Sequence, residues 1–308
     1  MINELREKTN RQYNIDFEKA QKLTDKTYKV KCVNGNCFII KKTELYTSEK
    51  YEFLKSLGID NVLYPIENNN NRFVSNDNGK LYYVMNYIDN KLEYREIKAN
   101  KLKEELMKLH FNTSFKKELS VKNSRKKMED IYEYLQYKFN VIEVFIRSVE
   151  ARPFDEYSII ILKNYHYILD AKKIMAEYQK KLIKHIKEGK SVNYSFVHNN
   201  PKLSHIVEKG GNNYLISLEK SKVGIPSLDI VKLYLQVEDI DIDKKEFIMD
   251  YFNRYDDEFY FDYFCFFVLF YYIKGIIVND KDYVSSQSFL YAASAIKKFI
   301  NTFNLLEK

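Results

Sequence analysis

The feature that most constrains the fold is a change of hydrophobic period at Arg95. Before it, apolar residues alternate in short runs, the period of half-buried strands. After it, they recur at helical spacing, as in Ile97, Leu102, Leu106, Leu109 and His110. In the first part, strands are expected from Leu23 onward, over residues 28–33 and 37–42, and around 63–66, 73–75 and 81–86. A short helix is expected over residues 47–57, with Ser48 as N-cap, an apolar face of Phe53, Leu54 and Leu57, and Gly58 as its stop. In the second part, helices are expected over residues 124–149, 154–186, 228–236, 244–252, 257–278 and 286–303. One stretch, residues 204–218, returns to strand character around the turn Lys209-Gly210-Gly211-Asn212.

This order predicts an α+β, bilobal chain. Residues 1–90 form a small β-rich lobe with one helix, a hinge falls at about 87–91, and residues 91–308 form a larger, mainly helical lobe that carries a loop at 196–219. Only 8 Gly and 4 Pro in 308 residues, beside 45% hydrophobic residues, exclude a disordered or fibrous chain.

The net charge of +7 is spread along the chain, and the one dense basic cluster, KKELSVKNSRKK at 116–127, reads as a solvated loop rather than a phosphate-binding patch. No nucleic-acid partner is therefore expected. The first fifteen residues are mostly polar, with no apolar run that could act as a signal peptide. Residues 259–278 are long enough to cross a bilayer, but Asp262 and Lys274 fall within them, so they read as a buried helix and no membrane span is expected.

Three cysteines make no disulfide framework. The Asn34-Gly35 pair is a two-residue hairpin signal, and counting outward from it sets Cys32 opposite Cys37. Two readings stay open: a bridge in an oxidising environment, or two half-buried small residues.

Four segments, taken in order, carry a family likeness: TYKVKCVNGNCFIIKK, YEFLKSLGIDNVLYPI, KLHFNTSF, and FVHNNPKLSHIV followed by YLISLEKSKVGIPSLDIVKLYL. Their order resembles the aminoglycoside phosphotransferase and choline-kinase-like group within the protein kinase-like superfamily, and inside it the bacterial spore coat CotS family. The resemblance implies a kinase-like fold, with Lys41 at the place of the ATP-pairing lysine and Glu49 or Glu52 as its ion-pair partner.

In such folds a His-x-Asp turn presents the catalytic base, an Asn five residues on binds metal, and an Asp on a later strand end binds metal under the phosphates. Here His198 keeps its place, Asn200 stands at the base, His205 at the Asn, and Ser217-Leu218-Glu219 at the metal-binding triplet. Pro226 and Asp229 keep the Pro and Asp that open the next helix. The resemblance thus implies a degenerate member: His198 and Asp229 structural, no catalytic residue, no metal, no cofactor, and no small-molecule or nucleotide binding. A zinc site from His198, His205 and Glu219 has no recognised spacing. The implied setting is cytoplasmic synthesis followed by incorporation into the spore coat, with other coat proteins as partners.

Overall fold

A computed structural model describes residues 2–89, 94–153, 155–279 and 282–306. Positions 90 and 91 of the expected hinge, and position 154, expected to open a long helix, lie outside the described residues. The elements run α1 (Ile2–Tyr13), β1 (Lys19–Thr24), β2 (Thr27–Lys31), β3 (Cys37–Lys42), α2 (Thr47–Ser56), β4 (Ser75–Asp77), β5 (Lys80–Asn86), α3 (Arg95–Asn112), β6 (Phe115–Glu118), α4 (Val121–Glu150), α5 (Glu156–Lys187) and β7 (Ser191–Val197). They continue with β8 (Ile206–Lys209), β9 (Asn212–Leu215), β10 (Lys222–Gly224), α6 (Ser227–Gln236), α7 (Lys244–Phe252), α8 (Phe259–Gly275) and α9 (Asp282–Phe303). The chain divides into two compact units, Met1–Ser114 with Ser195–Gly224, and Phe115–Tyr194 with Ile225–Lys308.

In the first unit an antiparallel sheet has the order β1-β2-β3-β5-β4. One face packs Val30, Cys32, Ile40, Tyr82 and Val84 against Tyr13 and Phe17. Helix α1 was not expected, because its inner face rests on Leu5, Thr9 and Tyr13 at helical spacing and the middle residue is a threonine. Thr9 is nevertheless fully buried, its hydroxyl donating to the Leu5 carbonyl at 2.8 Å. The expected strand at 63–66 forms no ladder; it is an extended segment held by a bridge from Val62 to Leu215 and by the Ile66 amide on the Val84 carbonyl.

The hairpin between β2 and β3 corrects the cysteine register. Lys31, not Cys32, pairs with Cys37, and the Cys32 amide bonds the Asn36 carbonyl. A two-residue type I′ turn needs positive φ at both centres, but of the two only Gly35 has it, at 82°. Asn34 is held elsewhere, its side-chain oxygen accepting from the Asn36 amide at 3.0 Å. The loop therefore takes three residues with a bulge at Gly35, and the one-residue slip sends the two thiols to opposite faces. Cys32 is buried with Val30 and Ile40, while Cys37 shares its face with Ile39 and Lys41; both are free thiols. The second Asn-Gly, at Asn78-Gly79, does make the two-residue turn, with φ of 51° and 80°.

Helix α2 ends as expected at Gly58, whose φ is 68°, with the Gly58 amide on the Lys55 carbonyl and the Ile59 amide on that of Leu54. Its inner face differs from expectation. Thr47, Tyr51 and Leu54 are buried, whereas Phe53 and Leu57 are exposed, so the helix is rotated by about one position.

In the second unit, α5 lies against α4, α8 and α9. Helix α8 is apolar on every side because it is enclosed, with Phe264, Cys265, Phe266 and Leu269 all fully buried. Its acid, Asp262, meets Lys181 at 3.3 Å. Among the described residues, no helix is long and apolar enough to cross a membrane. The basic cluster is not a loop: it spans β6 and the first turns of α4, with Ser120 capping α4. Asp229 is fully buried in the first turn of α6, where the helix dipole favours a carboxylate.

Candidate functional site

The loop at 196–219 is held within the first unit by bonds that join main-chain groups to side-chain hydroxyls and to one another. Ser195 donates to the His110 carbonyl at 2.8 Å, and the Phe196 amide donates to Thr113 Oγ1 at 3.0 Å. The Leu63 amide bonds the Leu215 carbonyl and the Leu215 amide that of Asn61, which anchors β9 beside the segment leaving α2. The loop also holds two non-glycine residues at positive φ, Asn199 at 60° and Ser217 at 66°. Such backbone costs about 1–3 kcal/mol per residue and persists only where the surroundings enforce it.

Those surroundings converge on Lys41. Its ammonium lies 2.8 Å from Glu219 Oε1 and donates to Ser217 Oγ at 2.9 Å. The buried Tyr83 hydroxyl, from β5, donates to the same Glu219 oxygen. Glu49 and Glu52, expected to pair with Lys41, are exposed on α2, and Glu52 accepts from Ser48 at 2.8 Å. This follows from the rotation of α2: its inner face presents Lys50, which donates to the Glu219 main-chain carbonyl. Sequence reasoning looked to the nearest helix for the acid and missed a carboxylate from the far end of the loop. Burial alone would push the Glu219 carboxyl up, but Lys41 and the Tyr83 hydroxyl outweigh it and hold it below the ordinary carboxylate range.

The two histidines stack at a ring separation of 5.3 Å and an interplanar angle of 11°. His198 is fully buried and its Nε2 bonds the Ile216 carbonyl at 3.0 Å, which braces the end of β9. His205 Nδ1 bonds the Asn200 carbonyl at 2.9 Å; a carbonyl only accepts, so this nitrogen carries the proton. Burial, with help from His198 and Lys41, lowers the His205 pKa to about 3, so the ring is neutral at physiological pH. Among the described residues, no group of three or more His, Cys, Asp or Glu could hold a metal ion.

Beside Lys41 is an apolar cavity of about 200 Å³, bounded by Ile39, Met85, Val207 and Ile216 and by Ser217 at its polar end. That is smaller than the roughly 300–1,000 Å³ of ordinary small-molecule sites. Ile39 lines it without filling it, and Leu218 is buried in the core outside it.

A five-stranded antiparallel sheet carrying a lysine, followed by a loop and hairpin that meet it, and a larger helical part, is the protein kinase-like fold. Solved structures similar to this chain share that fold, and several of them are phosphotransferases. An aminoglycoside phosphotransferase from Alicyclobacillus acidocaldarius is similar over 96% of this chain and 93% of its own, with a TM-score of 0.68 and 10% identity. A spectinomycin phosphotransferase, solved with ADP and spectinomycin, matches over 98% of each chain, with a TM-score of 0.57 and 13% identity. An amicoumacin kinase, solved with AMP-PNP and calcium, matches over 96% of this chain and 93% of its own, with a TM-score of 0.54 and 13% identity. At these identities the likeness is one of fold. The sequence matches no protein-family model and no curated protein.

Proposed function

We propose that this chain is a kinase-like protein without phosphoryl-transfer chemistry, serving as an assembly component of the bacterial spore coat through protein contacts. The observation that carries the reading is that Lys41 is satisfied from within, by Glu219 and Ser217, with Tyr83 completing the set. In kinases the acid that pairs with this lysine comes from the neighbouring helix, whereas here it comes from the loop stretch expected to hold the metal, and Ser217 takes a second donor. Two further losses support it. The Asn200 amide cannot take a proton from an acceptor hydroxyl. Magnesium prefers hard oxygen ligands, and the positions expected to supply them hold a neutral imidazole, His205, and a hydroxyl, Ser217. The coat setting, with cytoplasmic synthesis and other coat proteins as partners, rests on the likeness of the four ordered segments to the CotS family. No cofactor is required by this reading.

The apolar cavity beside Lys41 favours a second reading, a module that binds a nucleotide or another small molecule without turnover. The competing alternative is an active phosphotransferase that uses Glu219 for its metal. Thermal-shift titration with ATP and magnesium, calorimetry with ATP, and a phosphotransfer assay separate the three. The first reading expects no metal-dependent stabilisation, no heat of binding and no turnover. Binding without turnover would move the function to the second, and turnover that vanishes in Lys41→Met would establish the alternative.

A further inference from the structure

We infer that the groove between α4 and α5 is a docking site for an acidic amphipathic helix of a partner protein. This deepens the reading of the chain as an assembly component and rests on it for its biological setting.

The groove lies in the second unit and encloses about 500 Å³. Two stripes at helical spacing line it: Val121, Arg125, Met128 and Tyr132 from α4, and Gln179, Ile183 and Ile186 among those from α5. Met128 and Ile186 are buried, but Val121 is 44% and Tyr132 47% exposed, so the apolar stripe of α4 continues outward beyond what α5 covers. That is the geometry of a helix-in-groove site, which reads partners by apolar anchors at successive turns.

Charge selects the occupant. Lys180 and Lys187 border the α5 side, and the one carboxylate in the lining, Glu129, is paired with Arg125 at 2.8 Å. The basic cluster leads into the same end of α4, bringing Lys116, Lys117, Lys122, Lys126 and Lys127 against the single acid Glu118. The N-terminus of α4 adds its positive dipole end. Even with Asp130 and Glu133 on the following turn of α4, basic residues outnumber acids along the stripe, which fits a helix whose own apolar stripe is flanked by Asp and Glu. A nucleic acid or an anionic membrane could use the lysines and touch Tyr132, but neither fills a concave groove between two helices, so a protein helix fits better.

The test uses the full chain and two fluorescent helical peptides of equal length and apolar stripe, one flanked by Glu and one by Lys. In fluorescence anisotropy the Glu peptide is expected to bind, to weaken as salt is raised, and to exceed the Lys peptide by about tenfold or more. Tyr132→Glu, at an exposed position, is expected to reduce that binding about tenfold with an unchanged melting temperature. Lys180→Glu with Lys187→Glu is expected to narrow the preference for the Glu peptide. Equal binding of both peptides, binding of neither, or full retention in Tyr132→Glu would overturn the inference. So would tighter binding of single-stranded RNA or phosphatidylserine vesicles that Tyr132→Glu leaves intact, since the lysines would then serve those ligands. No step measures phosphotransfer, so failure here removes the groove and leaves the proposed function to its own assays.

Discussion

Lys41 and Glu219 are held 2.8 Å apart, joining the central strand of the sheet to the end of the loop at 196–219. Their side chains are only 20% and 12% exposed, so solvent screens the pair weakly. The same carboxylate accepts from Tyr83, and the same ammonium donates to Ser217, so neither charge is left with one partner.

Breaking this pair from one side is expected to cost more than removing both charges. Lys41→Met or Glu219→Gln should each lower unfolding free energy by about 2–4 kcal/mol, because the remaining charge stays in a largely enclosed site. The double variant should recover at least half of the summed loss. Urea denaturation of the four proteins measures the coupling, and strict additivity would mean that the contact contributes nothing.

Acid sensitivity should trace to His205 and Glu219. The folded His205 pKa is about 3 against an ordinary 6.5, so between those values the unfolded chain binds the proton and the folded chain does not. Stability is therefore complete above about pH 6.5 and declines as pH falls toward 3. Glu219 acts in the same direction at the lower end: its folded pKa is depressed, so its contribution is present above 4.5 and is lost as pH falls through the folded value. His205→Asn keeps a donor for the Asn200 carbonyl but has no titrating ring. Between pH 6 and 4 the pH slope of its unfolding free energy, from urea denaturation, should be smaller than the parent's by up to about one proton, or ~1.4 kcal/mol per pH unit; an identical slope would show that His205 titrates normally.

The thiols should react separately. Cys37 is partly exposed, while Cys32 and Cys265 are buried, and burial together with the Asp16 carboxylate pushes the Cys32 thiol up. Iodoacetamide on the native protein is expected to label Cys37 at least about tenfold faster than the others, by peptide mass spectrometry. A Cys32–Cys37 bridge forming readily under mild oxidation would contradict the register found at Gly35.

Much of the fold was legible because its signals are local. The β2–β3 hairpin, the long helices α4 and α5 and the four helices after Pro226 follow from periodicity, and Gly58 stops α2 as its backbone requires. What escaped depends on contacts made far along the chain. Nothing near Lys41 indicates Glu219, whose approach is set by β9 and by Lys50 on a rotated α2. Cys32 was set opposite Cys37 because Asn-Gly has two solutions differing by one residue, and an Asn34 side-chain bond selects between them.

On the proposed reading, installing phosphoryl-transfer chemistry should require the acid to be removed as well. Asn200→Asp, His205→Asn and Ser217→Asp together supply a base and oxygen ligands, and Asp tolerates the left-handed backbone at position 217. This triple variant is expected to show little stabilisation by ATP with magnesium, and the addition of Glu219→Gln is expected to produce a clear rise in melting temperature. A strong response from the triple variant alone would show that Glu219 does not block the site.

The carboxylate beside Lys41 gives this fold an occupant of its own. An anion reaching that lysine meets an ammonium whose charge Glu219 already balances and two of whose three donors are taken by Glu219 and Ser217, so it either shares the remaining donor or competes with the carboxylate. Where it competes, its apparent affinity is reduced by whatever fraction of molecules keep Glu219 on Lys41. The cavity would accordingly sort candidate ligands by charge before shape, a phosphate contending with the protein's own carboxylate where a neutral apolar molecule would not.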